Sequence, residues 1–163
     1  MAEVELYLLR HAHAGDPAEW TADDAARPLS SKGRRQAQAL GRFLALRGFS
    51  PDAIVSSPKL RALETGRIVA DALGIGVATD DRLAGPLDLP VLTDVLLAAG
   101  GQQIVVVGHD PDFSDLAGEL AGGVELPMKK GALARFDASL PLIGAGGTLR
   151  WLLPPELVAE HAD

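Results

Sequence analysis

Apolar positions in this chain fall into short continuous runs that alternate with longer stretches in which apolar residues recur every three or four positions. The first run, residues 6–9, reads as a strand buried on both faces. The next segment, "AHAGDPAEWTADDAARPLS", is polar, is broken by Gly and Pro and has no clear period, which predicts a long loop of the kind that covers a site. Ser30 or Ser31 then caps a helix running to about Arg47, with Ala37, Leu40, Phe43 and Leu44 on one face and Gly48 as its stop. "DAIVSS" predicts a short second strand, and Pro58 precedes an amphipathic helix over 60–73 that ends at Gly74. "GIGVAT" predicts a weak third strand, "LPVLTDVLLAAGG" a short helix and "QQIVVVGHD" the strongest strand in the chain. A helix over 112–120 follows, and "ALARFDA" and "GTLRWLL" predict a terminal hairpin or a pair of sheet-edge strands. The order βαβαβαβαββ implies an α/β fold, a three-layer α/β/α sandwich around a mostly parallel central sheet.

Composition narrows the classes of partner. At 163 residues, with 47% hydrophobic and 23% charged residues, the chain is expected to form a single domain spanning 1–163, too short for an eight-stranded barrel of typical size. Fifteen basic against 22 acidic residues give a net charge of -7, which predicts no nucleic-acid or membrane partner, so any anion site must be local. The absence of cysteine excludes disulfides, thiolate catalysis and thiolate metal sites. "MAEVELYLLRHA" has no basic region before its short apolar stretch, so neither a signal peptide nor an anchor is expected, and a cytoplasmic monomer is the default.

The chemistry-bearing residues gather in three strand-to-helix turns: Arg10-His11 after the first strand, Ser56-Ser57-Pro58-Lys59-Leu60-Arg61 after the second, and Gly108-His109-Asp110-Pro111 after the strongest. "LYLLRHAHAG" alone admits three readings: an anion site on Arg10 and His11, a metal site on His11-x-His13, or a solvated turn. If the strands are parallel neighbours, their carboxyl ends bring two arginines and two imidazoles into one crevice beside helix N-termini. Such a crevice suits a tetrahedral oxyanion.

Four segments resemble the histidine phosphatase superfamily with the phosphoglycerate-mutase-like fold: "LLRHAHAG", "RPLSSKGRRQAQAL", "IVSSPKLRALETG" and "VVVGHDP". They stand in order, at compatible spacing, over nearly the whole chain, and "ARPLS" with the compact length looks most like the SixA-type phosphohistidine phosphatases. The resemblance implies that His11 is the nucleophile of a hydrolase that needs no metal and no cofactor, and that Arg10, Arg61 and His109 bind the phosphoryl group, with Ser57 adding a hydroxyl or an amide. Imidazole would attack phosphorus in line to form a phosphohistidine that water then hydrolyses. Guanidinium forks would match two phosphoryl oxygens and hold down the pKa of His11. His13 is read as a loop residue, because the metallohydrolases with its spacing need a larger barrel and no supporting ligands follow. His161 is read as surface, Arg27 as a structural partner of an acid in the long loop in preference to a lining of the pocket entrance, and Lys129 and Lys130 as solvated charges or as contacts for an acidic partner.

Ala12 replaces the Gly common at the third position of the opening motif, and "DDRLAGPLDLP" has no glutamate where larger family members place their acid. Expelling an alkoxide needs a proton donor, whereas a phosphoramidate nitrogen is readily protonated and leaves as a neutral ring. The expected substrate is therefore phosphohistidine on a protein, with a small phosphorylated metabolite as the alternative; Asp16, Asp80, Asp81 and Asp88 are the acids that would serve the latter.

Overall fold

The computed structural model describes residues 2–159; His161 lies outside the described residues. Six strands, β1 (Ala2–Arg10), β2 (Ala53–Ser56), β3 (Ala78–Thr79), β4 (Gln103–Gly108), β5 (Leu133–Leu140) and β6 (Gly147–Leu153), form one sheet in the order β3-β2-β4-β1-β5-β6. The four strands from β3 to β1 run parallel, and β5 and β6 add an antiparallel flank. The sheet is thus mostly parallel, with its last hairpin as the antiparallel exception.

Continuous apolar runs arise because each central strand is covered on both faces. On one face Leu6, Leu8, Val55, Ile104 and Val106 pack with residues of α3 (Leu89–Ala99) and α4 (Asp112–Leu120), among them Leu92, Leu96, Phe113 and Leu116. On the other, the alternate residues Tyr7, Leu9, Ile54, Val105 and Val107 meet α1 (Ser31–Leu46) and α2 (Leu60–Leu73) through Leu40, Leu44, Ala62 and Val69. The period of two along each strand thus builds two cores and the three layers.

Three differences from the sequence reading have local causes. The first strand begins four residues earlier, because antiparallel pairing with β5 extends from Ala2↔Leu140 to Leu9↔Leu133. The third strand keeps only two ladder residues, pairing Val55↔Ala78 and Ser56↔Thr79 at the sheet edge. The long loop carries two single-turn 3-10 helices, Pro17–Glu19 and Asp24–Ala26, each started by an aspartate side chain, Asp16 or Asp23, that accepts from the amide two residues on. Among the described residues no helix is long and apolar enough to cross a membrane.

Candidate active site

Because β2, β4 and β1 are adjacent and parallel, the turns that follow them open at one edge of the sheet. His11 leaves β1 with its amide donating to the Gly108 carbonyl (3.0 Å). Its Nδ1 lies 2.7 Å from the Ala12 carbonyl oxygen. A carbonyl only accepts, so the neutral ring carries its proton on Nδ1 and keeps the lone pair on Nε2. The ring of His109 stands 5.3 Å from that of His11, centroid to centroid, and its Nε2 is 2.8 Å from Ser57 Oγ. Ser57 Oγ also accepts from the Lys59 amide (3.2 Å). The site residues proposed from sequence are therefore gathered at one edge.

Both arginines are held by the protein. Arg10 donates to the Met128 carbonyl (2.7 Å) and pairs with Asp110 (3.4 Å). Asp110 is itself fixed by the Ser114 amide and hydroxyl, and that hydroxyl accepts from the Met128 amide. Arg61, in the first turn of α2, donates to the Asp24 carbonyl (3.0 Å) and pairs with the Asp24 carboxylate (3.1 Å). Asp24 also pairs with Arg27, which donates to the Ala14 carbonyl (2.8 Å), so Arg27 braces the loop with an acid of that loop. Asp24, Asp110 and Ser114 escaped the sequence reading. Asp110 was visible as the variable position of the Gly-His-x-Pro turn, whereas nothing in the sequence singles out Asp24.

The "LSSKGRRQ" segment, which carried no chemistry, locks the backbone beside the nucleophile candidate. The His13 amide donates to Gln36 Oε1 (3.0 Å), the Ser30 amide donates to the His13 carbonyl (3.0 Å), and His13 Nδ1 sits 2.6 Å from Ser30 Oγ. The same hydroxyl caps α1 by accepting from the Gly33 amide. A Cβ at Gly33 would overlap the His13 carbonyl oxygen. Gly33→Ala should therefore destabilise the protein by ~2 kcal/mol or more, read as a lower urea midpoint, with activity lost in parallel as the Arg10–Ala14 backbone shifts. Thr65, in α2 one helical turn after Arg61, accepts from the Ala12 amide and donates to the Arg61 carbonyl, tying β1's exit to α2.

Burial lowers the pKa of His11 to about 4, helped by the charges of Arg61, Arg10 and Lys130 and opposed by the Ala12 carbonyl. Burial likewise lowers His109 to about 3, with His11, Arg61 and Lys59 adding to it. Both rings are neutral at pH 7. In the unfolded chain they take up protons near pH 6.5, so at intermediate pH the unfolded state binds more protons and folding weakens as pH falls. The stability these groups confer is complete above about pH 6.5 and is lost progressively down to their folded pKa values, on the order of 3 kcal/mol for His11. Urea midpoints should be lower at pH 5 than at pH 7, and His11→Asn should narrow that gap; an equal gap in the variant would contradict the assignment.

Three of the four carboxylates considered as proton donors have other tasks. Asp16 and Asp80 cap 3-10 turns, Asp88 caps α3, Asp80 also pairs with Arg82, and Asp81 lies in the first turn of the segment Asp81–Ala84. Asp24 stands at the site, but the neighbouring Arg61 and Arg27 outweigh its slight burial and hold its pKa below the usual carboxylate value. Among the described residues no three His, Asp or Glu side chains gather in a way that could hold a metal ion.

The family model for the histidine phosphatase superfamily (branch 1) matches residues 6–85, which include Arg10, His11, Ser57 and Arg61. An uncharacterized protein of Picosynechococcus sp. is 32% identical, over 93% of this chain and 100% of its own length. The phosphohistidine phosphatase SixA of Escherichia coli K12 is 27% identical over 93% of this chain and 94% of its own. A structure of the protein histidine phosphatase SixA complexed with tungstate superposes with a TM-score of 0.81 at 24% identity, covering 94% of this chain and 99% of that one, and so shares the fold. With the motifs in place and the fold shared, the chain belongs to the histidine phosphatase superfamily (branch 1) and is a phosphatase.

Proposed function

We propose that this phosphatase removes phosphate from phosphohistidine on proteins through a phosphohistidine enzyme intermediate on His11, without metal or cofactor. The observation that carries the phosphoryl site is a set of unsatisfied nitrogens: Arg10 Nε, Arg61 Nε and His109 Nδ1, which is a donor when Nε2 accepts from the Ser57 hydroxyl, are buried without a hydrogen-bond partner, three of the four such side-chain atoms among the described residues. Buried polar groups are normally paired, and an oxyanion is the ligand that suits two guanidinium N–H groups and an imidazole together.

In this reading Nε2 of the neutral His11 attacks phosphorus, the P–N bond to the substrate imidazole breaks, and that imidazole leaves with a proton from solvent. Arg10 and Arg61 stabilise the charge spread over the phosphoryl oxygens, held in position by Asp110 and Asp24. His109 contacts the same group, with Ser57 orienting its ring. Water then displaces His11 from phosphorus and releases phosphate. The tetrahedral oxyanion bound to the SixA structure of the same fold supports such a pocket.

The substrate assignment rests on leaving-group chemistry: the carboxylates at the site are paired with arginines, Asp24 with Arg61 and Arg27 and Asp110 with Arg10, and neither is placed as a free proton donor. Steady-state rates on a phosphohistidine-bearing protein, phosphoserine and a sugar phosphate, measured at equal concentration with and without chelator, test it. The phosphohistidine protein should have the highest kcat/KM, and chelator should change none of the rates. A sugar phosphate that outpaced it would move the assignment to a small phosphorylated metabolite, and a loss restored by zinc or manganese would contradict the metal-free mechanism.

A further inference from the structure

The strand order places one more cation at the same edge. β5 runs antiparallel to β1, with Leu133 paired to Leu9, so the residues just before β5 lie beside the turn that carries Arg10 and His11. They grip it closely. The Gly131 amide donates to both the Arg10 and His11 carbonyls (3.1 and 3.0 Å), the Arg10 amide donates to the Ala132 carbonyl (3.1 Å), and the Arg10 guanidinium donates to the Met128 carbonyl. Gly131 does so at φ +84°, a conformation that favours glycine. Lys130 is therefore fixed at the His11 flank away from β4 and β2, while Arg61 comes from the β2 side.

Its neighbours differ from those of every other cation at the site. Arg10 is paired with Asp110, Arg61 and Arg27 share Asp24, and the adjacent Lys129 pairs with Glu156 (2.7 Å). Lys130 is half-buried, and among the described residues no hydrogen bond or ion pair holds its ammonium. Its charge acts on His11 and His13, and it shares its surroundings with Arg10, Arg27 and Arg61, with Asp16 as the acid in reach. Burial first, and then the three arginines, lower its pKa, with Asp16 opposing them. A ring of cations of this kind is stabilised by a doubly charged anion.

We propose that Lys130 is a further phosphoryl-binding residue, closing the oxyanion pocket on the β5 side as Arg61 closes it on the α2 side. The inference rests on the phosphoryl site proposed above. It assigns to a residue outside the three strand-to-helix turns a contact with the group that every substrate shares. Arg10 and Arg61 act as flat forks, whereas an ammonium on a flexible stem can follow the phosphoryl group as it passes from substrate to His11.

Inorganic phosphate is the probe. Its dissociation constant, and the His11 ring pKa from 15N chemical shifts, would be measured for wild type, Lys130→Gln, Lys130→Arg and Arg61→Ala. Lys130→Gln should weaken phosphate binding by about 10-fold or more and raise the His11 pKa, with its Tm unchanged; Lys130→Arg should restore most of the affinity. If Arg61→Ala weakens binding and Lys130→Gln does not, Lys130 is outside the pocket and this inference fails alone. If neither variant changes phosphate affinity, the phosphoryl site itself is wrongly placed. A rise in KM confined to acidic protein substrates, at unchanged phosphate affinity, would make Lys130 a partner contact and would also overturn the inference.

Discussion

His11→Ala should reduce turnover of every phosphorylated substrate by ~10,000-fold or more while leaving the protein folded. The size of the effect follows from what is removed. The neutral ring, with Nδ1 committed to the Ala12 carbonyl, leaves its Nε2 lone pair free near His109 and within the field of Arg10 and Arg61, and in the proposed mechanism alanine leaves the bound phosphoryl group with no acceptor. The backbone around it is held by contacts the side chain does not make: the amide to Gly108, the carbonyl to Gly131 and the neighbouring Ala12 amide to Thr65. Far-UV circular dichroism and phosphate binding should therefore stay close to wild type. Residual activity within about 10-fold of wild type would remove His11 from the reaction.

Leaving-group chemistry should govern the second large effect. If the proposed mechanism runs without a general acid, phosphoramidates and aryl phosphates should outpace alkyl phosphates such as phosphoserine by roughly 100- to 10,000-fold, the usual worth of general-acid help. Asp16, Asp80 and Asp88 are committed to caps, and Asp24 is held ionised by Arg61 and Arg27. Arg61→Ala should act differently, slowing all substrates by a similar factor, because the lost charge complements the phosphoryl group rather than the leaving group. A linear free-energy plot of rate against leaving-group pKa separates the two: a steep slope displaced downward in parallel by Arg61→Ala is expected. A flat slope would require a proton donor, and Asp24 and Asp81 would be the first residues to replace.

Elements governed by local chemistry were legible in the sequence. The helices expected over 60–73 and 112–120 coincide with α2 and α4 because Pro58, Gly74 and Pro111 bound strongly periodic segments. The buried runs around Leu6 and Val105 are strands because helices cover both faces, and their parallel order follows from the alternation with helices. The convergence of Arg10, His11, Ser57, Arg61 and His109 followed from the same alternation, since strand-to-helix turns of neighbouring parallel strands share an edge. Contacts made through the antiparallel flank were not legible. Nothing in "PMKKGALARF" marks Lys130 as a neighbour of His11; that depends on β5 pairing with β1 in one register, across more than 120 residues of chain. Asp24 was hidden for a related reason, because its place beside Arg61 depends on a loop fixed by two aspartate-started turns and the Arg27–Ala14 bond rather than by any period.

The most direct test of a histidine-nucleophile mechanism is to mix the enzyme with a protein labelled on phosphohistidine, quench within one turnover and locate the label. The account predicts an alkali-stable, acid-labile adduct on the peptide that carries His11, absent from His11→Ala. Label on a serine or aspartate of the enzyme, or full turnover with no enzyme-bound label at any time, would contradict it.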